Sequence, residues 1–204
     1  RKVVEIVEAA VADARPEDRR QAVAAALKLA LDEGRAEIRR RIAATPGRGM
    51  EIASAQSFLT DQILRIAFDA TTQHVYRLDN PSAAERISMV AVGGYGRAEM
   101  APYSDVDLMF LSPLRNTAWV EQVVEAILYI LWDLGLKVGH STRTIDDMLR
   151  MAKSDLSVKT ALLEARYLWG DQPLYDEASA RFQREIVVGQ AREFIAEKLV
   201  ERDE

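Results

Sequence analysis

The most restrictive feature of the sequence is a pair of short apolar segments, residues 87–92 and 106–111, separated by a glycine-rich turn and a polar loop. Both segments are rich in branched side chains and have the length of an ordinary strand. The glycines at the end of the first segment favour a strand that stops there over a helix that continues. A chain with two such segments is expected to build its core on a β-sheet.

Two aspartates stand at the start of the second segment. Asp105 and Asp107 are two residues apart, so the alternation of a strand places both carboxylates on one face, while Val106 and Leu108 point into the core. Neighbouring carboxylates repel each other, and a divalent cation between them removes that repulsion. A lone Asp-x-Asp is more often a solvated strand end, so the interpretation as a metal site depends on what surrounds it.

The glycine turn supplies that context. Gly93, Gly94 and Gly96 leave backbone N–H groups open to phosphate oxygens, and a short helix beginning near Arg97 would add the positive end of its dipole. Nucleotidyl transfer needs a phosphate-binding turn beside a metal pair, because the cation stabilises the leaving pyrophosphate and lowers the pKa of the attacking hydroxyl. The two motifs together indicate a nucleotide-dependent transferase.

The rest of the chain is mainly helical in pattern. Apolar residues recur at helical spacing from residue 2 to residue 78, which predicts two or three long helices with a break at the turn residues 45–49, Pro46 among them. Further helices are predicted over 119–134, which Gly135 would cap, over 145–151 and 155–168 and from 174 onward, and a third strand is predicted over 137–144. The pattern divides the chain into a helical N-terminal extension over 1–80, a catalytic core over 81–153 and a helical segment over 154–204.

Composition and charge exclude several classes of protein. The formal net charge of -5 argues against a surface built to bind nucleic acid, and the absence of cysteine excludes disulfides, thiolate zinc sites and a cysteine nucleophile. A metal ion would therefore be held mainly by oxygen atoms. No apolar run reaches the length of a membrane span, which predicts a cytoplasmic protein. Because the chain begins with Arg1 and stops within a charged helical pattern, we expect it to be a piece of a longer protein.

The turn and the acidic pair resemble a known signature. Residues 92–94 followed by residues 105–108 are similar to the signature of the DNA polymerase β nucleotidyltransferase superfamily. The fuller string over 93–108, together with residues 135–144 and 160–166, resembles the N-terminal domain of the bacterial bifunctional PII uridylyltransferase/uridylyl-removing enzymes.

This resemblance extends over residues 87–177 and implies a fold, an activity and partners. The implied fold is α+β and polymerase-β-like, with a small mixed sheet flanked by helices. The implied reaction is transfer of UMP from UTP to a tyrosine hydroxyl of the signal-transduction protein PII, in answer to glutamine and with Mg²⁺ or Mn²⁺ as cofactor. In that family UMP removal and glutamine sensing belong to separate downstream domains, for which this chain has no room.

Two other functions remain open at this stage. One is a different nucleotidyltransferase, such as an adenylyltransferase that modifies a protein, or an enzyme that acts on a small molecule. The other is a degenerate domain that binds nucleotide or a partner as a regulatory module without catalysis. Retention of both Asp105 and Asp107 argues against degeneration, because an unused acidic pair would lower stability through repulsion.

Residue chemistry and the resemblance together define the candidate site. Asp105 and Asp107 are the predicted catalytic and metal-binding residues. The predicted nucleotide-binding residues are the turn glycines and two polar neighbours: Gly93, Gly94, Gly96, Arg97 and Ser104. Arg97 has the alternative of pairing with Glu99 at the surface, and Ser104 that of ending a turn. Tyr95 and Tyr103 either stack on the base or shape the loop.

The general base is not assigned by the sequence. The strand expected over 137–144 contains no acidic residue, although many members of the superfamily carry a third carboxylate there. His140 could act as base or metal partner, and Asp146 and Asp147 lie just beyond. The spacing from Thr144 to Asp147 resembles a capping box, which favours helix capping over catalysis.

Overall fold

The structure, a computed structural model, describes residues 2–45, 47–114, 117–189 and 191–203. Pro46, which the sequence pattern places in the turn between two helices, lies outside the described residues. Within them, no helix combines the length and the apolar character that crossing a membrane requires.

The described N-terminal residues form three long helices, as the spacing of their apolar side chains predicts. They are α1 (Lys2–Asp13), α2 (Arg19–Ala44) and α3 (Gly49–Ala70). A short 3₁₀ turn, Pro16–Asp18, leads into α2, and proline suits that position because a first turn does not need its N–H. A π-helical turn, Thr71–Val75, follows α3.

The described residues also form a four-stranded mixed sheet. Its strands are β1 (Ser88–Ala91), β2 (Val106–Leu111), β3 (Val138–Arg143) and β4 (Arg166–Gly170), in the spatial order β3-β2-β1-β4. β1 pairs antiparallel with β2 and with β4, whereas β2 pairs parallel with β3. The small mixed sheet flanked by helices confirms the α+β class, and β1, β2 and β3 lie where the sequence predicts strands.

Helices connect and cover these strands. α4 (Gly93–Gly96) is a single turn after β1, and α5 (Ala118–Asp133) provides the crossover that a parallel β2–β3 pair requires. The predicted cap of α5 is confirmed: Gly135 has φ +73° and donates its N–H to Trp132 O at 2.9 Å. The remaining helices are α6 (Ile145–Ser154), α7 (Leu156–Leu163), α8 (Gln172–Phe182) and α9 (Ala191–Asp203).

The helix predicted over residues 155–168 is wrong in its second half. α7 ends at Leu163, and the following residues form β4, in which Arg166 pairs with Ala91 and Gly170 with Ser88. The edge of β1 that does not face β2 needs a hydrogen-bonding partner, and β4 supplies it. The helical spacing of apolar residues continues past residue 164, but the aromatic residues that follow favour a strand. Because these local signals conflict, the pairing of β4 with β1 decides where the helix ends.

The sheet separates two hydrophobic cores. The side chains of Leu108 and Phe110 on β2 face a large core that includes α1, α2, α3 and α5. The alternate residues, Met109 and Leu111, face a second core built with α6, α7 and α8. The alternation of β2 therefore decides which core each residue joins, and Asp107 lies on the side of Met109 and Leu111.

Candidate active site

The acidic pair lies at the beginning of β2. The strand starts at Val106, so Asp105 immediately precedes it with an exposed side chain, whereas Asp107 is within it and half-buried. Val106 and Leu108, on either side of Asp107, are buried in the first core, as the alternation predicts. Burial raises the pKa of Asp107, and the charge of Asp105 raises it further. The two carboxylates are therefore close enough to repel each other.

Two glycines create the space that the Asp107 carboxylate occupies. A Cβ atom at Gly139, the β3 residue that pairs with Asp107, would lie 2.5 Å from Asp107 Oδ1, too close for any real contact. A Cβ atom at Gly93 would lie 3.5 Å from Asp107 Oδ2. The structure thus brings the glycine turn, the carboxylate and the edge strand β3 together at one point.

The glycine turn is itself helical, which corrects the sequence prediction. The sequence predicts a helix that begins near Arg97, but α4 spans Gly93–Gly96 and ends before that residue. Its first hydrogen bond runs from Gly96 N to Val92 O at 3.0 Å, so the N–H groups of Gly93 and Gly94 precede it. Gly93 has φ +60°, a conformation that favours glycine. The segment is therefore a hydrogen-bonded helical turn and not an open loop.

Arg97 and Ser104 have protein partners in this structure. Arg97 Nε lies 3.1 Å from Glu99 Oε2, the alternative partner that the sequence suggests, and Arg97 Nη1 lies 2.6 Å from Glu164 Oε1. Ser104 is exposed, and its N–H donates to Ala101 O at 3.1 Å within a turn. The structure records no hydrogen bond from either side chain to Asp107.

Tyr95 shapes the turn from inside the protein. Its ring is buried, and its hydroxyl donates to Asp61 Oδ1 at 2.6 Å. Burial, together with the negative charge of Asp61, raises the pKa of the Tyr95 phenol well above its usual value, so the hydroxyl stays a donor. Tyr103, by contrast, is exposed and has φ +70°.

Sequence reasoning missed two residues next to the turn, Asp61 on α3 and Arg166 on β4. Arg166 donates to both oxygens of Asp61 and to the backbone carbonyl oxygens of Tyr95 and Gly96. A weak signal existed for each residue. Asp61 follows buried Thr60 on the inward side of α3, and Arg166 ends the family-like segment over 160–166.

The residues considered for the general base do not gather at Asp107. His140 pairs with Leu108, so it alternates to the face opposite Asp107, where it lines a cavity beside α5. Asp147 donates its backbone N–H to Thr144 Oγ1 at 3.2 Å, which confirms helix capping. Asp146 pairs with Arg181 at 2.8 Å.

The register also separates these aspartates from the acidic pair. α6 follows Arg143, the β3 residue that pairs with Leu111. Leu111 is four residues along β2 from Asp107, so the start of α6 lies roughly 13 Å from Asp107 along the strand direction. On β3 itself, the residues that share the face of Asp107 are Gly139, Ser141 and Arg143. In the part of the chain that the structure describes, no group of three or more His, Cys, Asp and Glu side chains is arranged to hold a metal ion.

Comparison with known proteins identifies the same region. Residues 77–168 match the Nucleotidyltransferase domain family, and this span contains the glycine turn, the acidic pair and β1 to β3. The match supports the assignment of the turn and the aspartates to one functional unit.

Longer relatives cover nearly the whole chain. The bifunctional uridylyltransferase/uridylyl-removing enzyme of Novosphingobium aromaticivorans is 58% identical over 185 residues, which is 91% of this chain and 20% of that protein. The enzyme of the same name from Erythrobacter litoralis is 55% identical over 203 residues, 100% of this chain and 22% of that protein. That from Azospirillum brasilense is 48% identical over 204 residues, 100% of this chain and 22% of that protein. The chain therefore carries a nucleotidyltransferase domain; it is similar over nearly its whole length to bifunctional uridylyltransferase/uridylyl-removing enzymes and spans about a fifth of the length of these relatives.

Proposed function

We propose that this chain is the transferase part of a uridylyltransferase that moves UMP from UTP to a tyrosine hydroxyl of the PII signal protein. The observation that carries the proposal is the position of the half-buried Asp107 carboxylate directly against the glycine turn. The names of the relatives support uridylyl transfer. The resemblance supports PII as the acceptor. The lack of a long apolar run in the sequence supports the cytoplasm as the location.

The proposed reaction is a displacement of pyrophosphate at the α-phosphorus of UTP. The phenol oxygen of the acceptor forms a bond to the α-phosphorus of UTP, and the bond from that phosphorus to the oxygen bridging to the β-phosphorus breaks. Pyrophosphate leaves and the phenol proton is released to water. The unperturbed pKa of a tyrosine phenol is about 10, so the reaction needs stabilisation of the ionised phenol and of the charge on pyrophosphate.

A divalent cation fits the acidic pair. The pKa of Asp107 is raised by burial and by Asp105, so a positive charge between the two carboxylates would relieve both effects. Carboxylate oxygens are the ligands that Mg²⁺ and Mn²⁺ prefer, and nucleotide phosphates would complete the oxygen shell. Bound there, the cation would neutralise charge on the phosphates and favour the ionised phenol.

The chain's own groups would orient the nucleotide. The backbone N–H groups of Gly93 and Gly94 precede the first hydrogen bond of α4 and are available to phosphate oxygens, and Gly96 keeps the turn compact. Arg97 would add a cationic contact by exchanging one of its glutamate partners for phosphate, and Ser104 would donate its hydroxyl. These assignments make the turn the phosphate side of the site and Asp105 and Asp107 the metal side.

A nucleotide panel tests the proposal. The intact protein is incubated with labelled UTP, ATP, GTP or CTP, magnesium and purified PII protein, and labelled PII is counted. We expect label from UTP only. Transfer from ATP would instead support an adenylyltransferase, and nucleotide binding in calorimetry without transfer to any acceptor would support a regulatory module.

Substitution of the aspartates tests the site itself. Asp107→Asn and Asp105→Asn should each lower UMP transfer by on the order of 10³-fold or more, because an amide cannot neutralise a cation, while circular dichroism stays unchanged. Asp79→Asn is the matched control, since that carboxylate is 85% exposed and lies in the loop before β1. Full activity in Asp107→Asn would show that the acidic pair is not the catalytic centre.

A further inference from the structure

The guanidinium of Arg166 contacts the glycine turn on one side and Asp61 on the other. Nη1 donates to Asp61 Oδ2 at 2.8 Å, and Nη2 donates to Asp61 Oδ1 at 3.1 Å. Nε donates to Gly96 O at 3.1 Å, and Nη2 also donates to Tyr95 O at 3.2 Å. One side chain therefore links α3, β4 and the backbone of α4.

The Asp61 carboxylate also holds the side chain of Tyr95, the one residue of the turn that is not glycine. Tyr95 donates its hydroxyl to Asp61 Oδ1 at 2.6 Å, and Arg166 lies over the Tyr95 ring at 5.5 Å from its centroid. Asp61 thus fixes Tyr95 directly through the hydroxyl and indirectly through the carbonyl group that Arg166 binds. Both members of the ion pair are largely buried, with side-chain exposures of 31% for Arg166 and 19% for Asp61.

The turn depends on such external support. Three of the four residues of α4 are glycine, so only Tyr95 offers a side chain through which the protein can hold the turn. Glycine has the greatest backbone freedom, and a single helical turn is not stable by itself. The carbonyl groups at the end of a helix also need partners: Arg166 donates to Gly96 O, and it adds a second donor at Tyr95 O, which also accepts the Ala98 N–H at 3.0 Å.

The segment before Arg166 closes the other side of the turn. A Cβ atom at Gly96 would overlap the carbonyl oxygen of Glu164, so the two backbones are in direct contact. Glu164 also binds Arg97 at 2.6 Å. The first residue of α4, Gly93, faces Asp107, so a shift of the turn would change its distance from the acidic pair.

We infer that Arg166, oriented by Asp61, is a positioning residue that sets the glycine turn relative to Asp107 and thereby determines the affinity for the nucleotide. The inference rests on the proposed function for its kinetic consequence. Its structural part, that Arg166 holds the turn, is independent of which nucleotide binds.

A second arginine–aspartate pair provides a matched control. Arg86 donates to both oxygens of Asp171, Nε to Oδ2 at 2.7 Å and Nη2 to Oδ1 at 2.8 Å. This pair is also bidentate and also joins the β1–β4 region, but it lies at the Ser88–Gly170 end of that ladder, whereas Arg166 pairs with Ala91 at the other end. A purely structural role would make the two arginines equivalent.

Hydrogen exchange of the intact protein without nucleotide tests the structural part. In Arg166→Lys the ammonium keeps the charge beside Asp61 but cannot reach two carbonyl groups and a carboxylate together. We expect exchange in a peptide covering residues 90–99 to become at least about fivefold faster, and to stay unchanged in Arg86→Lys. Equal exchange of this peptide in wild type and Arg166→Lys would overturn the inference.

Steady-state kinetics of UMP transfer test the functional part. Arg166→Lys should raise KM for UTP about tenfold and change kcat less than threefold, and Arg86→Lys should leave both within twofold of wild type even if it lowers the melting temperature equally. The double variant Asp61→Asn, Arg166→Lys should raise KM by less than the product of the two single effects, because both residues hold Tyr95 within one network.

Other outcomes are separable. An unchanged KM in Arg166→Lys would overturn the inference, as would an equal KM increase in Arg86→Lys. If the wild-type protein transfers no nucleotide, the proposed function fails, and hydrogen exchange still decides whether Arg166 holds the turn.

If Arg166→Lys does not fold, Tyr95→Phe replaces it. The loss of one hydroxyl contact to Asp61 should raise exchange in residues 90–99 and KM for UTP by about two- to threefold. No change in either measurement would contradict the inference.

Discussion

At the scale of single residues, the site depends on a missing side chain. Gly139 lies within β3, where glycine weakens a strand because it loses more backbone freedom and packs no side chain. Such a glycine often marks a place where another group comes close, and here that group is the Asp107 carboxylate. The identity of residue 139 therefore sets the orientation of a residue on the neighbouring strand.

Replacement of Gly139 by alanine should disturb the site without unfolding the protein. The new methyl group would lie 2.5 Å from Asp107 Oδ1, so the carboxylate must rotate or shift. A misplacement of about 1 Å at a reacting centre can lower the rate on the order of 10²-fold. We expect a loss of UMP transfer of that size, measured as kcat, with an unchanged circular dichroism spectrum.

Gly49→Ala is the control for that substitution. A Cβ atom at Gly49 would have no heavy atom within 4 Å, and the residue lies at the start of α3, far from β3 in sequence. Its transfer activity should equal that of wild type. Normal activity in Gly139→Ala would mean that the position of Asp107 does not limit the reaction.

At the scale of the elements, the junction of β4 and α8 is held by one aspartate. Asp171 caps α8 by accepting the Leu174 N–H at 2.8 Å, and it also pairs with Arg86. The hydrogen bonds from the Arg86 guanidinium lower the pKa of Asp171, and the Leu174 N–H lowers it further. The folded protein therefore favours the ionised carboxylate.

This pKa shift predicts a pH-dependent contribution to stability. Because the folded-state pKa of Asp171 lies below the unfolded value, the contribution is complete above the usual aspartate range near pH 4 and is lost as the pH falls through the folded-state value. Asp171→Asn keeps an acceptor for the cap but loses the ion pair. It should lower the free energy of unfolding at pH 7 by about 1 kcal/mol, or roughly 2–4 °C in Tm.

Thermal unfolding at several pH values measures this contribution. The difference in Tm between wild type and Asp171→Asn should be largest near pH 7 and should shrink steadily below pH 4. A difference that is constant from pH 7 to pH 3 would indicate that the carboxylate charge contributes nothing and that only the shape of the cap matters.

At the scale of the whole molecule, the sheet is covered on both sides. One core joins α1, α2 and α3 to the sheet and to α5, and the other joins α6, α7 and α8 to the opposite face. The site lies where β2 begins, and β2 contributes side chains to both cores. The N-terminal helices therefore support the sheet that carries Asp107, and we expect residues 1–80 to unfold together with the strands.

Two leucines on α2 test this expectation. Leu27 is fully buried in the first core, whereas Leu29, two residues away, is 66% exposed. Leu27→Ala should lower the free energy of unfolding by about 2–5 kcal/mol, and Leu29→Ala should change it by less than about 0.5 kcal/mol.

Two spectroscopic probes show whether the helices and the sheet unfold together. Far-ultraviolet circular dichroism reports the helices, and tryptophan fluorescence reports Trp119 and Trp169, which pack against the first core, together with the half-exposed Trp132. Both probes should give the same midpoint in wild type and in Leu27→Ala. A helical transition that precedes the fluorescence transition would show that the N-terminal helices are a separate unit.

The sequence by itself determined the features that depend on near neighbours. Strands β1, β2 and β3, the glycine cap of α5 and the Thr144 cap of α6 follow from local periodicity and from residue types with fixed conformational preferences. The acidic pair and the glycine turn are recognisable for the same reason, because their spacing is built into a short stretch of chain. The sequence pattern predicts this helical turn a few residues too late, since three glycines leave both a loop and a helical turn sterically possible.

Only the tertiary structure decided which distant groups meet. Arg166 and Asp61 are 105 residues apart, and Arg97 and Glu164 are 67 apart. β4 forms a strand because β1 presents an edge to it, and His140 is turned away from Asp107 because of the parallel register of β2 and β3. No local pattern encodes these contacts. They depend on the order of strands in the sheet, which is set by the burial of both faces and by the pairing of both edges of the inner strands β1 and β2.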